Sequence, residues 1–401
     1  MNMLSRRQAL ISAAGLGLSL NFLARTAEAA TSSRRLIFIN CRGAMDGLSV
    51  APPVGDPDYP DLRRGLVLTD TALKLDSDFG LHPALTSVYA LAQAGQARIA
   101  PAIATPDRAR SHFEAQDVLE SGSSVVYGAT TGWLNRAVGA LQARGRLNAL
   151  SIGATAPLVM RGPAEVSSWS PGALVNPQAR LPGLLMDLYR NDPLLGPAFA
   201  RGLETEAMAR EAMREDLDMS AVAPADLKAY AKQGQDASRK LGDTLADFMK
   251  APGGPQIAAI SLDGFDTHAN QAGLIAARLG TLDAVIDGIQ KGLGPDWANT
   301  VIIVATEFGR TARVNGTGGT DHGTASTAMV LGGGLKRGGV IGDWPTLKSS
   351  ALFENRDLAP TLDMRALFKG ALADQLGLDR QTLDTVVFPD SRSVTPLSGL
   401  I

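Results

Sequence analysis

The chain has 401 residues, of which 38 are lysine or arginine and 40 are aspartate or glutamate, giving a net charge of −2. This balance provides no basic field to recruit nucleic acid, so nucleic acid is not expected as a partner. Cys41 is the single cysteine, which excludes an intramolecular disulfide, so stability must come from packing or a bound ion.

The amino terminus has the layout of a signal peptide. Arg6 and Arg7 stand in a short basic segment, and residues 9–23 are mostly apolar and uncharged. The paired arginines predict export of the folded protein through the twin-arginine translocase, to the periplasm or the exterior. An Ala-x-Ala site ending at Ala29 predicts cleavage of residues 1–29. A retained anchor is the weaker alternative, because about 15 apolar residues fall short of the ~20 that span a membrane, and no stable membrane insertion is expected after cleavage.

Residues 30–401 are predicted to form one α/β domain. Short apolar runs predict strands at 35–40, 97–103, 149–152, 256–261, 300–305 and 327–331. Helices are predicted between them at 83–94, 111–121, 184–190, 227–249, 271–292 and 358–376. This alternation predicts a doubly wound, mostly parallel sheet with helices on both faces. The segment 201–250, rich in Ala, Glu, Asp, Lys and Met, predicts a helical insertion in the domain.

Polar side chains collect beside the predicted strands. Ligands of open parallel sheets lie outside the carboxyl ends of the strands. The residues found there are Asp46, Arg108, Arg110, Ser111, His112, Asp266, His268, Glu307 and Arg310, with Asp321 and His322 just before the last strand. Carboxylates and imidazoles suit a divalent ion, so the clustering predicts a site for one or two ions of Zn²⁺, Mn²⁺, Mg²⁺ or Ca²⁺.

Structural roles stay open at several of these positions. Asp46 precedes Gly47 in a common turn pair. Asp266 could cap the helix that begins near 271, which would leave His268 as a surface residue. A buried Glu307, placed directly after an apolar strand, would need a partner.

Ser111 precedes a helical run, and two interpretations compete there. It could be an ordinary N-cap, with Glu114 completing a capping box. A helix N-terminus also favours anions and lowers the energy of an alkoxide. Arg108 and Arg110 favour an anion site, because arginine binds tetrahedral oxyanions through paired hydrogen bonds.

At these residues the sequence resembles the exported proteins grouped as domain of unknown function 1501. The segments that carry the resemblance are 42–49, 110–116, 132–134, 263–271, 306–311, 321–324 and 388–389. Together they extend over essentially the whole mature chain. The first segment departs slightly, since Ala44 and Met45 stand where the family usually has a glycine and a small residue, which bears on how closely this loop can approach a ligand.

The family is similar to the alkaline phosphatase and sulfatase superfamily, and the resemblance implies a function. It implies an exported metal-dependent hydrolase of phosphate or sulfate esters, acting on a small anionic ester or a sulfated or phosphorylated glycan. The alternative is a non-catalytic exported binding or assembly protein on the same fold. The usual late Asp-His pair is here Glu307-Phe308, which leaves the number of ions open.

The resemblance implies roles for Asp46, Ser111, Asp266, His268, Glu307 and His322, and the chemistry of the other site residues suggests theirs. Ser111 is expected to be the nucleophile, His112 the proton donor to the leaving group, and Arg310 a cation that neutralises transferred charge. Arg108 and Arg110 are expected to bind substrate. The expected metal ligands are Asp46, Asp266, His268, Glu307, Asp321 and His322.

Overall fold

The structure is a computed structural model and describes residues 34–145, 147–153, 156–170 and 227–401. The predicted signal peptide, the predicted helix at 184–190 and residues 201–226 of the predicted insertion lie outside the described residues. No described helix is both long and apolar enough to cross a membrane.

Eleven strands occur in the described residues. They are β1 (Arg35–Cys41), β2 (Leu73–Lys74), β3 (Gly80–Leu81), β4 (Ala97–Ala104), β5 (Ala149–Ile152), β6 (Ser167–Trp169), β7 (Ile257–Leu262), β8 (Thr300–Ala305), β9 (Ser326–Gly332), β10 (Gly339–Val340) and β11 (Leu362–Asp363). Each of the six predicted strands is present, with its ends within one residue of the prediction.

Nine α-helices are described. They are α1 (Gly47–Val50), α2 (Tyr59–Leu62), α3 (Thr86–Gln93), α4 (His112–Ser121), α5 (Trp133–Gln142), α6 (Leu227–Lys250), α7 (Gln271–Leu293), α8 (Met364–Leu376) and α9 (Arg380–Thr382). Short 3-10 turns lie at Leu158–Met160, Gly294–Asn299 and Ser349–Ala351, and a π-helical turn at Leu383–Val387. Helix α5 was not predicted. Helix α8 begins later than predicted, because Asp363 caps it by accepting a hydrogen bond from the N–H of Arg365.

The main sheet has the order β10-β4-β9-β8-β1-β7-β5-β6, and β11 pairs with β4. All of its pairings are parallel except those of β9, which runs antiparallel to both β4 and β8. Neighbouring residues of β1 belong to different hydrophobic clusters. Ile37 and Ile39 pack with residues of α3 and α7, whereas Leu36 and Phe38 pack with residues of α5 and α8. The predicted α/β class, with a mostly parallel sheet covered on both faces, is confirmed.

Candidate metal centre

The direction of β9 explains why residues from distant parts of the chain meet. Because β9 is antiparallel to β4 and β8, its first residue lies at the edge where those strands end. His322 precedes β9, Glu307 follows β8, and His112 begins the helix after β4. Asp266 follows β7, which is parallel to β1 and so ends at the same edge.

Asp266 is the centre of a group of nitrogen and oxygen donors. Its Oδ1 lies 3.0 Å from Nε2 of His268 and 3.2 Å from Nε2 of His322, and its Oδ2 lies 3.4 Å from Nε2 of His112. Donor atoms of His112, Asp266 and His322 all lie within 4.8 Å of one another. A tetrahedral ion with 2.0–2.1 Å bonds has ligand atoms about 3.3 Å apart, so these spacings fit one ion.

The hydrogen bonds of two histidines fix which ring nitrogen is free. Nδ1 of His322 lies 2.9 Å from the carbonyl oxygen of Arg110, which can only accept, so Nδ1 carries the hydrogen. Nδ1 of His112 lies 2.8 Å from Oε1 of Glu307. In the neutral form of each ring, Nε2 then carries the lone pair and faces Asp266. Nε2 of His112 is buried without a hydrogen-bond partner among the described residues and lies 3.4 Å from Oδ2 of Asp266, an arrangement that suits a metal ligand.

His268 lies beside His322 at the edge of this group. Its Nε2 is 3.0 Å from Nε2 of His322 and 3.0 Å from Oδ1 of Asp266. With its hydrogen on Nε2, His268 can donate to either atom; with its hydrogen on Nδ1, toward Asp321 at 3.5 Å, its Nε2 could bind the same ion.

Glu307 lies behind the centre. It is 1% exposed, and its Oε1 accepts from His112 and from the N–H groups of Gly43 and Ala44, at 2.8 and 3.1 Å. Burial alone would raise the pKa of this carboxyl, but the hydrogen bonds with His112 and Gly43 hold it below its usual range. The same hydrogen bond with Glu307 raises the pKa of His112, whereas burial lowers that of His322. Glu307, predicted as a ligand, thus contacts the candidate ligand His112 and is not itself in the group of donors around Asp266.

Arg310 is buried beneath the centre, and each of its five N–H donors has an acceptor nearby. Nε donates to the carbonyl of Ala44, and one terminal nitrogen donates to Asp266 Oδ1 at 2.7 Å and to the carbonyl of Phe265. The other donates to the carbonyl of Thr320 and lies 3.4 Å from Nε2 of His268. This guanidinium ties three loops and the Asp266 carboxylate together.

The two arginines predicted to bind substrate have other partners. Arg110 donates to Asp357 at 2.8 Å and also to Glu354, so its charge is neutralised within the protein. Its backbone has φ of +56°, a strained value for a side chain other than glycine, and this places its carbonyl against His322. The guanidinium of Arg108 donates to the carbonyls of Thr105 and Asp107.

Asp46 is not among the donors that lie within 4.8 Å of one another, although its Oδ1 is buried without a hydrogen-bond partner in the described residues. Its Oδ2 accepts from Ser49, Arg63 and Gln271, and both Asp46 and Arg63 are buried. The guanidinium therefore supplies the positive charge that this carboxylate needs. Nothing in the sequence indicated Arg63, which is 17 positions away and follows no strand.

Ser111 and Asp321 lie at the margin of the centre. Ser111 stands between the Arg110 carbonyl and His112, and its side chain makes no capping hydrogen bond to α4, so the capping-box alternative is not realised. Asp321 is exposed, accepts from Asn315 at 3.1 Å and lies beside His268.

A cleft of about 730 Å³ opens beside His112, Asp266 and Glu307. Its wall includes Arg42, Phe113, Glu120, Tyr127 and Arg161, none of which the sequence analysis assigned a role. The available signal was the position of Arg42 directly after β1 and of Phe113 directly after His112.

The model of the family described as Protein of unknown function (DUF1501) matches residues 33–387, which confirms the resemblance drawn from the sequence. Among curated proteins, none matches this chain.

Solved structures with a similar overall fold include the following three. A phosphonate monoester hydrolase from Silicibacter pomeroyi has a TM-score of 0.42 and 11% identity, with 91% of this chain and 76% of that chain covered. A putative sulfatase from Bacteroides thetaiotaomicron has a TM-score of 0.39 and 8% identity, with 92% and 76% covered. A lipoteichoic acid synthase from Listeria monocytogenes has a TM-score of 0.39 and 8% identity, with 89% and 76% covered. Similarity at this level carries no inference about activity.

Proposed function

We propose that this chain, which belongs to the family described as Protein of unknown function (DUF1501), is an exported metal-dependent hydrolase of phosphate or sulfate esters. The observation that supports this most is the buried, unpartnered Nε2 of His112, which faces the donors of Asp266 and His322. Two imidazoles and one carboxylate make a three-ligand set of the kind that leaves a coordination position open for substrate.

The residues proposed to hold the ion are His112, Asp266 and His322, with His268 as an adjacent fourth donor. Imidazole ligands favour Zn²⁺, Mn²⁺ or a similar transition metal over Mg²⁺ and Ca²⁺, which prefer oxygen. When bound, the ion would polarise an oxygen of the tetrahedral group and stabilise its developing charge. His112 then serves better as a ligand than as a proton donor, because Nδ1 is held by Glu307 and Nε2 faces the other donors.

Ser111 is proposed as the nucleophile, because its hydroxyl does not cap α4 and it directly precedes His112. The serine hydroxyl would lose its proton to solvent as its oxygen forms a bond to phosphorus or sulfur, the bond to the alcohol oxygen would break, and the alcohol would leave with a proton from solvent. Water would then hydrolyse the serine ester, releasing phosphate or sulfate and restoring the hydroxyl. Arg310 keeps Asp266 in place throughout, since its donors are already engaged.

Metal content tests the proposal directly. Wild-type protein purified from its native compartment should carry close to one equivalent of a transition metal by elemental analysis, and His322→Gln should lose it. The matched control is His82→Gln, which changes the one histidine outside the centre; His82 accepts a hydrogen bond from the N–H of Ala84. Equal metal in His322→Gln and wild type would refute the assigned site.

Activity is tested with a panel of aryl phosphate monoesters, phosphodiesters and sulfate esters, assayed with metal-loaded protein and with the chelated protein. Turnover that needs the metal supports a hydrolase. A metal-loaded protein that turns over no ester would favour the binding or assembly alternative.

Export is a separate part of the proposal. Arg6→Lys combined with Arg7→Lys should keep the precursor in the cytoplasm, and sequencing of the mature wild-type protein should find a new amino terminus near Ala30. An unchanged exported level in the double variant would exclude the twin-arginine route.

A further inference from the structure

The cleft beside the metal centre is larger than the group that the centre would bind. We infer that this cleft binds the alcohol part of the ester, and that Arg42 and Arg161 recognise a second negative charge on it. The inference rests on the proposed function and specifies its substrate class: esters whose alcohol part carries a ring and a further anionic group.

The size of the cleft is the first argument. Its volume of about 730 Å³ falls in the range of pockets that hold drug-sized ligands, which is roughly 300–1,000 Å³. A phosphate or sulfate group alone would fill only the end next to Asp266. The remaining volume lies next to the reacting centre, which is where the rest of an ester has to be.

The rim of the cleft carries two aromatic side chains that face solvent. Phe113 is 84% exposed and Tyr127 is 69% exposed. Rings of this size are usually buried, and exposed apolar surface beside a cleft indicates a binding surface. Phe113 is the residue after His112, and both line the cleft. A flat ring of the substrate is the partner that suits both side chains.

The charges of the cleft give the second part of the inference. Arg42 lies 3.5 Å from Asp263 and 3.8 Å from Glu120, longer than the 2.7–2.9 Å of a charge-assisted hydrogen bond. Arg161 donates through Nε to the carbonyl of Ala156, and its terminal nitrogens have no hydrogen-bond partner among the described residues. Both guanidinium groups therefore keep donors for an anion.

Of the carboxylates that line the cleft near these arginines, Glu120 and Asp117 have other partners, whereas Asp263 is exposed and lies 3.5 Å from Arg42. Glu120 is buried and accepts from Asn40 and from the N–H of Val159, each at 3.0 Å. Asp117 accepts from the N–H of Tyr127 at 2.6 Å. In contrast, the donors of Arg110 and Arg310 are engaged by protein acceptors. The guanidinium donors still available are thus those of Arg161 and of Arg42, which an anionic substrate would draw away from Asp263.

Binding of stable analogues tests the inference without depending on turnover. The probes are inorganic phosphate, phenylphosphonate and 4-carboxyphenylphosphonate, which have no ester bond to break, titrated calorimetrically into metal-loaded protein. We expect phenylphosphonate to bind more tightly than inorganic phosphate. The added carboxylate should gain about tenfold, as for one charge-assisted hydrogen bond.

Variants assign these gains to residues. Arg42→Gln with Arg161→Gln should abolish the advantage of the carboxylate and leave phenylphosphonate unchanged, whereas Arg64→Gln, at an exposed arginine paired with Asp61, should keep it. Phe113→Ala should weaken both phosphonates, with exposed Leu274→Ala as control.

The outcomes separate the two proposals. Equal affinity for both phosphonates, or an advantage that survives the double arginine variant, overturns the second-charge inference alone. Inorganic phosphate binding as tightly as both phosphonates overturns the assignment of the cleft. Failure of all three probes to bind in a metal-dependent way overturns the proposed function as well.

Discussion

Nδ1 of His112 lies 2.8 Å from Oε1 of Glu307, an oxygen that also accepts from the N–H groups of Gly43 and Ala44. The carboxylate therefore fixes the orientation of the imidazole and connects it to the loop after β1. A carboxylate that accepts from a ligand histidine also makes the free ring nitrogen a better donor to a metal.

Replacing the Glu307 carboxylate with an amide separates its negative charge from its capacity to accept hydrogen bonds. In Glu307→Gln the amide oxygen can still accept from Gly43, Ala44 and His112, so the fold should be retained, but the negative charge is lost. We expect metal affinity to fall by about 10- to 100-fold, the usual effect of losing such a partner, measured by competition with a chromogenic chelator. Unchanged affinity would mean that His112 does not bind the metal.

Glu307→Ala is the harsher comparison for the same position. It leaves two N–H groups and a histidine without an acceptor in a buried site, which costs about 1–3 kcal/mol for each unpaired group. Its melting temperature should therefore fall clearly below that of Glu307→Gln. Equal melting of both variants would show that the hydrogen bonds to Gly43 and Ala44 contribute little.

The positions of Asp266, Glu307 and His322 could be predicted, because the apolar strands beside them are short and clear, and ends of strands meet at one edge of a sheet. The antiparallel direction of β9 could also have been predicted from the short connection before it. No helix lies between β8 and β9, whereas parallel neighbours need a long crossover, usually a helix.

The partners of the charged side chains could not be predicted in the same way. Asp46 is paired with Arg63, and Arg110 with Asp357, through contacts that only the folded chain creates. Sequence pattern shows that a charge follows a strand, but not which opposite charge the tertiary structure places against it. The side chains of Arg108, Arg110 and Arg310 therefore bind protein acceptors, which differs from the roles expected of them from the sequence.

The ion pair of Asp46 and Arg63 predicts that Asp46 stabilises the fold and does not bind the metal. Arg63→Met leaves the buried Asp46 carboxylate without a positive partner, and such breaks usually cost about 3–5 kcal/mol. Combining it with Asp46→Asn should recover part of that stability, measured by urea unfolding. Arg64→Met, at the exposed neighbouring arginine, should have little effect.

Metal content of the folded Asp46 variant completes this test. Because Asp46 lies outside the donor group, the Asp46→Asn/Arg63→Met protein should keep its metal, whereas Asp266→Asn should lose it. Loss of metal in both would restore Asp46 as a ligand, as the resemblance first implied.

The ion pair of Asp384 and Lys369 should account for part of the loss of stability at acid pH. Burial would raise the pKa of the Asp384 carboxyl, but hydrogen bonds from Lys369 and Arg380 lower it below the ordinary 3.8. A carboxyl with a depressed folded-state pKa contributes stability above its unfolded pKa and loses it as the pH falls through the folded value. The wild-type melting temperature should therefore begin to fall as the pH drops toward the ordinary value of 3.8, and should go on falling until the pH passes below the folded-state pKa.

Asp384→Asn should be less stable than wild type at pH 6, since Lys369 is fully buried and loses its only carboxylate partner among the described residues. Its further loss of melting temperature on acidification should be smaller, because one titrating group is gone. Asp70→Asn, at an exposed position, should follow the wild-type curve. A parallel shift of the Asp384→Asn curve at all pH values would contradict the assignment.

Ser111 separates transfer chemistry from binding. Its side chain makes no capping hydrogen bond, so Ser111→Ala should not incur the roughly 0.5–2 kcal/mol that loss of an N-cap usually costs. A serine hydroxyl also adds little to the affinity for a divalent ion beside imidazoles and a carboxylate. The variant should therefore melt like wild type and carry the same amount of metal.

If Ser111 is the nucleophile, the turnover by Ser111→Ala of every ester that wild type hydrolyses should nevertheless fall by several orders of magnitude. Thr105→Ala tests a nearby hydroxyl that donates to the Glu307 carbonyl and has no proposed chemistry, and it should keep most of the activity. Full turnover in Ser111→Ala would eliminate this serine as the nucleophile and leave water, activated at the metal centre, as the attacking group.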